Sequence, residues 1–241
     1  MSDTAIVIPC YNEAKRLDVV RFTDFLNQNS NYALFLVDDG STDETVEILE
    51  EIRLATPNQV IILKQSKNLG KGEAVRKGLL AAYDSATYDQ IGFLDADLST
   101  PFSEFKAITD YLLLNNKKAV FGSRLRMADT IIVRSWIRHL IGRVIATFIR
   151  WTIKTPFYDT QCGAKVFTRV SAKLAADQPF ISRWLFDVEI ILRLKKQWGS
   201  KFQDNLHEYP LKEWSQVDGS KIRFIDMIKI PIELIKIRTK G

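Results

Sequence analysis

Short apolar runs alternate with amphipathic segments through the first half of this chain. Five runs have the length and the β-branched or aromatic content of buried strands, and they occupy residues 5–8, 33–37, 60–63, 91–94 and 119–122. The segments between them repeat apolar residues at helical spacing, which predicts helices over residues 13–28, 43–54, 72–83 and 100–114. This alternation predicts an α/β fold, a mostly parallel sheet flanked by helices.

The second half has a less regular pattern. It predicts an amphipathic helix over residues 131–153, a hairpin or loop over 160–168, a helix over 182–198, a strand over 202–211 and a terminal helix over 224–238. No linker, repeat or low-complexity stretch separates the two halves, so we expect a single domain over residues 1–241.

The cysteine and histidine content limits the kinds of site that this chain can build. Cys10 and Cys162 lie far apart and form no metal-ligand pattern, and the two histidines, His139 and His207, make a zinc site unexpected. The chain has no basic-flanked apolar leader and no apolar run of roughly 18 residues. We therefore expect a cytoplasmic protein without a membrane-spanning helix.

Positive charge is concentrated in two segments. The net charge is +5, yet residues 121–154 carry seven basic residues and one acid, and residues 220–241 carry six basic residues and two acids. Both segments are also rich in Ile, Phe or Trp. This combination favours an anionic membrane surface or an anionic amphiphile over nucleic acid as the partner, although amphipathic helices packed on a core remain an alternative.

Two aspartates follow the predicted strand over residues 91–94. Side chains alternate along an extended chain, so Asp95 and Asp97 point the same way, at the strand end where open parallel sheets bind ligands. Two hard oxygen donors on one side suit Mg²⁺ or Mn²⁺, ions that often also hold phosphates. A turn with solvated aspartates is the alternative for this tripeptide.

Polar groups also follow the other predicted strands. Pro9 ends the first strand ahead of Tyr11 and Glu13, where an aromatic ring could stack on a base and a helix start could bind an anion. Asp39 follows the second strand and could accept the imino proton of a pyrimidine. Lys71 lies between two glycines after the third strand and could reach a phosphate, although the Walker A spacing is absent.

Taken together, these motifs resemble one family. The chain reads IPCYNE, VDDGSTDET, NLGKGEAVRKG and DADLSTP, in this order and at βα spacing. This pattern is similar to the family 2 glycosyltransferases of the GT-A fold. The resemblance implies that Asp95 and Asp97 hold a metal on the diphosphate of a nucleotide sugar and that Asp39 contacts the base. It implies a donor site that includes Pro9, Tyr11, Glu13, Lys71, Ala96 and Lys221.

The second half narrows the resemblance. It contains FGSR, DTQCG, RWLFDVE and GSK, which resemble the polyprenyl- and dolichyl-phosphate sugar transferases and, among these, the beta-glucosyl branch. UDP-glucose is thereby favoured over GDP-mannose. We expect no terminal anchor or spanning helices such as many relatives carry, and Ser99 stands where mannosyl relatives often have a third metal-facing residue. Residues 1–123 would bind the nucleotide sugar, and residues 124–241 the acceptor.

The resemblance implies an inverting transfer in which Asp97, Asp187 and Arg124 are catalytic. A lipid phosphate is already anionic and needs cationic positioning rather than a base, for which Arg124 is the first candidate and Arg138 and Lys221 are further ones. Asp187 then orients the donor. We expect an enzyme bound peripherally to the cytoplasmic face of a membrane.

Two alternatives remain open at the level of sequence. In one, the chain transfers a sugar to a hydroxyl of a sugar or of a lipid-linked oligosaccharide, with Asp187 as general base. In the other, the chain is a non-catalytic nucleotide-binding partner of a membrane complex. The intact DADLS and GSK segments argue against the second alternative.

Overall fold

The structure of the protein is a computed structural model, which describes residues 3–125, 131–133, 149, 152–155, 157–215, 217 and 233–239. Arg138, Lys221 and most of the two basic segments lie outside these residues. Across the part of the chain that is described, no helix is both long enough and apolar enough to cross a bilayer.

Nine strands and seven α-helices are described. The strands are β1 (Thr4–Cys10), β2 (Tyr32–Asp38), β3 (Val60–Lys64), β4 (Gln90–Leu94), β5 (Ala119–Ser123), β6 (Ile131–Val133), β7 (Ala164–Thr168), β8 (Leu206–Pro210) and β9 (Glu213–Ser215). The helices are α1 (Val19–Gln28), α2 (Thr45–Ala55), α3 (Lys71–Asp84), α4 (Phe102–Leu114), α5 (Arg169–Ala176), α6 (Phe186–Trp198) and α7 (Phe202–Asn205). Residues 233–239 are also helical.

Seven strands form one sheet, in the order β3-β2-β1-β4-β7-β5-β8. Six of them run in the same direction, and β7 is antiparallel to both of its neighbours, β4 and β5. The expected mostly parallel α/β sheet is therefore confirmed. A separate pair, β6 with β9, is parallel.

Hydrophobic side chains cover both faces of the sheet. On one face α3, α5, α6 and α7 pack on a core that includes Phe93, Phe121 and Phe186. On the other face α1, α2 and α4 pack on a core that includes Phe22 and Phe105. Both faces are buried, which explains why the strands read as continuous apolar runs.

The helix starts expected at residues 13 and 43 lie six and two residues before the observed ones. The helix expected from Glu13 begins at Val19, because Asp18 accepts hydrogen bonds from the amides of Val20 and Arg21 and so caps it. The helix expected from Asp43 begins at Thr45, whose amide and hydroxyl both donate to the Asp43 carboxylate.

The second half differs more from its prediction. Residues 164–168, expected as a hairpin or loop, form a strand in the middle of the main sheet. The strand expected over 202–211 is preceded by the short helix α7, and residues 131–133, expected as helix, form β6. The helix expected over 182–198 begins at Phe186. Residues 134–148 and the predicted kink at Pro231 lie outside the described residues.

Candidate active site at the carboxyl edge of the sheet

The carboxyl ends of β1, β2 and β4 meet at one edge of the sheet. Cys10 pairs with Asp38 at the end of β1 and β2, and the Asp39 amide donates to the Cys10 carbonyl over 2.8 Å. Asp95 follows β4, which lies on the other side of β1. The parallel register therefore brings three of the sequence motifs to one edge, as predicted.

Asp95 faces a lysine and a glycine at this edge. Lys71 Nζ, from the first residue of α3, lies 2.5 Å from Asp95 Oδ1. The Asp95 amide donates to the carbonyl of Gly163, and a Cβ added at Gly163 would lie 2.1 Å from Asp95 Oδ2. Burial works to lower the pKa of Lys71, but the neighbouring carboxylates, Asp95 before Asp187, outweigh it and raise that pKa. Lys71 is therefore an ammonium held beside the predicted metal ligand.

Asp97 is held by its own loop and faces an arginine. The amide and hydroxyl of Ser99 donate to Asp97 Oδ1 over 3.0 and 2.8 Å. Arg16 lies 3.8 Å from Asp97 Oδ2 and is held in place by a bidentate pair with Glu13. Glu13 is therefore linked to Asp97 through Arg16, which the sequence did not single out, and its place in a donor site stays a prediction.

The predicted metal ligands fit a divalent cation. Asp95 and Asp97 offer hard carboxylate oxygens and are partly exposed. Each carboxylate also faces a cationic side chain, which stabilises its charged form. The described residues contain no group of three or more metal-ligating side chains. Two carboxylates suit Mg²⁺ or Mn²⁺ nevertheless, since such ions are often completed by substrate phosphates and water.

Asp39 is buried and organises the loop before α3. Its carboxylate accepts hydrogen bonds from the Gln65 side chain and from the amides of Leu69 and Gly70, all within 2.8–2.9 Å. Burial raises its pKa, and the two amides oppose that shift. Asp39 thus shapes the loop that carries Lys71. Its predicted contact with a base remains a prediction.

The other predicted donor residues lie along the same edge. Pro9 is the penultimate residue of β1 and pairs with Val37. Tyr11 follows the strand and is half-buried. Ala96 is buried in the core on the face of the sheet that α1, α2 and α4 cover. Their contacts with a nucleotide stay predictions, as do those of Lys221 and Arg138.

Asp187 is enclosed in the first turn of α6. Its side chain is 6% exposed, and Oδ1 lies 2.6 Å from Nζ of Lys165, a fully buried residue of β7. Burial raises the pKa of Asp187, and the ammonium groups of Lys165 and Lys71 oppose that shift. The sequence motifs do not include Lys165, although a lysine within the apolar run AKVF is a detectable signal of a buried charge.

Arg124 forms a bidentate ion pair at the end of β5. Its Nε and a terminal nitrogen lie 2.6 and 2.8 Å from the two carboxylate oxygens of Asp159. Its guanidinium lies 5.3 Å from the ring centre of Trp214, next to the site edge, where the Ser215 amide donates to the Ser99 carbonyl. Although burial opposes it, Asp159 raises the pKa of Arg124 further above its ordinary value. Arg124 is therefore a fixed cation.

Arg183 connects the loop before α6 to the loop before α3. Its guanidinium donates to the Leu69 carbonyl over 3.2 Å and contacts Asn68, and a Cβ at Gly70 would lie 2.6 Å from its Nε. Gly70 has a φ of +99°, a conformation that glycine adopts readily. The loop before α3 is thus joined to the second half of the chain, a contact that sequence spacing did not reveal.

A mostly parallel sheet with paired acids at its carboxyl edge agrees with the GT-A glycosyltransferase fold expected from the sequence, and solved structures share this fold. The chain aligns with the crystal structure of Mycobacterium tuberculosis glucosyl-3-phosphoglycerate synthase in complex with Mn²⁺, uridine-diphosphate-glucose and phosphoglyceric acid. The TM-score is 0.68 at 18% identity, over 100% of this chain and 81% of that one. This likeness confirms the expected GT-A fold.

Sequence comparisons identify the family. A family model described as glycosyl transferase family 2 matches residues 5–172, and the chain belongs to this family. A dolichyl-phosphate beta-glucosyltransferase of Saccharomyces cerevisiae is 35% identical over 97% of this chain and 73% of that protein. One from Trichomonas vaginalis, ALG5A, is 31% identical over 97% of this chain and 72% of that protein. The resemblance seen in the sequence motifs is confirmed.

Proposed function

We propose that this protein transfers glucose from UDP-glucose to a polyprenyl-type lipid phosphate, with inversion, at a membrane surface. The observation that carries this proposal is the similarity, over 97% of the chain, to proteins named dolichyl-phosphate beta-glucosyltransferases. A likeness that spans both halves includes the elements that would hold the acceptor as well as those that would hold the donor.

The acids after β4 would hold Mg²⁺ or Mn²⁺ through Asp95 and Asp97. When bound, the ion would neutralise charge on the leaving diphosphate, which is where glycosyl transfer builds negative charge. Lys71 would add a second positive charge at the same edge, because its ammonium is already fixed 2.5 Å from Asp95.

A lipid phosphate brings an oxygen that is already anionic. Such an acceptor needs no general base, and it needs positive charge to place it against the donor. Asp159 orients the Arg124 guanidinium, whose side chain is 23% exposed, and this arrangement supports Arg124 as the residue that binds the acceptor phosphate. Arg138 and Lys221 are further candidates from the sequence.

The geometry around Asp187 favours the phosphate acceptor over a hydroxyl acceptor. A general base must lie within hydrogen-bond distance of the proton that it removes, so its carboxylate has to be accessible to the acceptor. Asp187 is enclosed, and one of its oxygens is already bound by Lys165. The role that fits Asp187 better is that of a fixed anion that orients neighbouring groups.

A transfer screen tests the proposed function. UDP-glucose and GDP-mannose are each paired with a polyprenyl phosphate in detergent and, as the matched control, with the dephosphorylated polyprenol. We expect a glucosylated lipid only from UDP-glucose and the phosphate. Calorimetry should show UDP binding at least about tenfold tighter than GDP, a difference of about 1.4 kcal/mol. Transfer to the polyprenol or to soluble sugars alone would overturn the proposal.

A further inference from the structure

Lys165 places a charged group in the middle of the main sheet. It lies on β7, opposite Phe93 of β4 on one side and Phe121 of β5 on the other. Its side chain is fully enclosed, and Nζ lies 5.2 and 5.1 Å from the ring centres of these two phenylalanines. Because β7 lies between β4 and β5, Phe93, Lys165 and Phe121 form a row of side chains across three strands, with the ammonium between the two aromatic rings.

The ammonium makes two short polar contacts. Nζ donates to the Cys162 carbonyl and to Asp187 Oδ1, each over 2.6 Å. A buried ion pair is weak evidence for a stabilising role, because apolar side chains of similar volume often give equal or greater stability at such positions. An enclosed pair beside a ligand-binding edge is instead typical of a functional site.

Asp187 connects this pair to the candidate active site. The neighbouring residue Phe186 packs against Gly72, and its ring centre lies 5.9 Å from Lys71 Nζ. Asp187 and Asp95 both stabilise the charged form of Lys71. The buried pair therefore begins at the residue next to Phe186, which lies beside Lys71, and Lys71 in turn lies 2.5 Å from Asp95 Oδ1.

We propose that Lys165 is a positioning residue for sugar transfer: its ammonium fixes the Asp187 carboxylate as the negative charge that orients Lys71 beside Asp95. Lys165 itself touches neither donor nor acceptor. The inference rests on the proposed transferase activity but not on the identity of the acceptor. It assigns Asp187 the role of a fixed anion.

A double-mutant cycle tests this role. The variants are Lys165→Met, Asp187→Asn and both together, assayed in the full chain for UDP-glucose hydrolysis as well as for transfer to polyprenyl phosphate. Val166→Ala is the matched control, since Val166 is also buried on β7 but belongs to the core on the other face. Thermal unfolding is recorded for every variant, together with kcat and KM for the donor.

We expect each single variant to lower kcat by about 100-fold, with a much smaller change in the KM for UDP-glucose. We also expect the double variant to be no slower than either single variant. Lys165→Met leaves the Asp187 carboxylate without its orienting partner, and Asp187→Asn removes its charge, so either change alone already abolishes the oriented negative charge. Its Tm should exceed that of Lys165→Met by several degrees, because it leaves no buried carboxylate without a counter-charge. Val166→Ala should lose stability and keep its kcat.

Two outcomes would overturn the role of Lys165. The first is a Lys165→Met enzyme with kcat within about twofold of the wild type. The second is a double variant whose Tm and kcat both return to the wild-type values, which would show that the ion pair has only a structural role. If Lys165→Met does not fold, the Tm and kcat of the double variant, compared with the wild-type values, decide between a positioning role and a structural role. Because hydrolysis of UDP-glucose is followed separately, a failure to glucosylate lipid phosphate would count against the proposed acceptor alone.

Discussion

At the scale of single residues, the carboxylate of Asp97 is the clearest target. We expect Asp97→Asn to lower kcat/KM by about 100-fold or more, because the neutral amide no longer supports a cation on the diphosphate. The Asn side-chain oxygen can still accept the two hydrogen bonds from Ser99, so the loop should keep its shape. Steady-state kinetics with UDP-glucose and Mn²⁺ measure the loss.

Asp110→Asn is the control for this substitution. Asp110 forms an exposed pair with Lys106, 3.6 Å apart on α4, and its loss should leave both activity and stability nearly unchanged. Full activity of the wild-type enzyme in excess chelator would contradict the metal role assigned to Asp95 and Asp97.

Arg124 offers a second test at the residue scale. Arg124→Ala should raise the KM for the lipid phosphate or lower kcat while leaving the affinity for UDP nearly unchanged, because the proposal assigns Arg124 to the acceptor phosphate. It should also cost about 3 kcal/mol of stability, since Asp159 loses its bidentate partner. Acceptor kinetics, UDP calorimetry and chemical denaturation separate the two effects.

Arg53→Ala is the matched control, because Arg53 pairs with Glu50 on the exposed side of α2. Arg124→Lys should keep the positive charge but lose the bidentate geometry, so we expect it to recover only part of the acceptor binding. Normal acceptor kinetics in the Arg124→Ala enzyme would contradict acceptor binding by Arg124 and leave it only the structural ion pair with Asp159.

At the scale of elements, the close approach of β7 to the end of β4 depends on a glycine. We expect Gly163→Ala to lower kcat/KM by about 100-fold, because a Cβ would lie 2.1 Å from Asp95 Oδ2 and displace that carboxylate. Kinetics at saturating metal measure the loss. The calorimetric affinity for UDP should fall at the same time.

Gly199→Ala is the comparison at this scale. Gly199 has a φ of +54°, and a Cβ added there would have no neighbour within 4 Å among the described residues. Alanine at this position should therefore cost about 1–3 kcal/mol of stability, through backbone strain alone, and leave kcat unchanged. If Gly163→Ala behaved in the same way, the contact between Asp95 and Gly163, the residue before β7, would have no role in catalysis.

At the scale of the whole molecule, the asymmetric charge predicts peripheral, salt-sensitive binding to anionic vesicles. Residues 121–154 and 220–241 are basic and apolar together, and each basic residue near an anionic surface contributes about 1 kcal/mol. Flotation with vesicles containing phosphatidylserine should recover the protein at low salt and release it at high salt. Neutral phosphatidylcholine vesicles are the control, and equal recovery on both would contradict an electrostatic mode of binding.

Much of the fold can be predicted from the sequence because its first half is built from local patterns. The five predicted strands and the parallel order follow from apolar runs separated by helical segments. The acids at 39, 95 and 97 follow strand ends, and parallel strands bring such ends together whatever the details of packing. Helix starts were less accurate, because capping by Asp18 depends on one side-chain conformation.

Only the tertiary structure decided which distant residues meet. The hydrophobic pattern of residues 164–168 does not specify a partner strand, and it is the fold that inserts β7 between β4 and β5. That insertion buries Lys165 against Asp187 and brings Gly163 to Asp95. Arg16 likewise meets Asp97 across a long stretch of chain. Periodicity and spacing report on neighbours along a helix or strand, whereas these ion pairs depend on how whole elements pack.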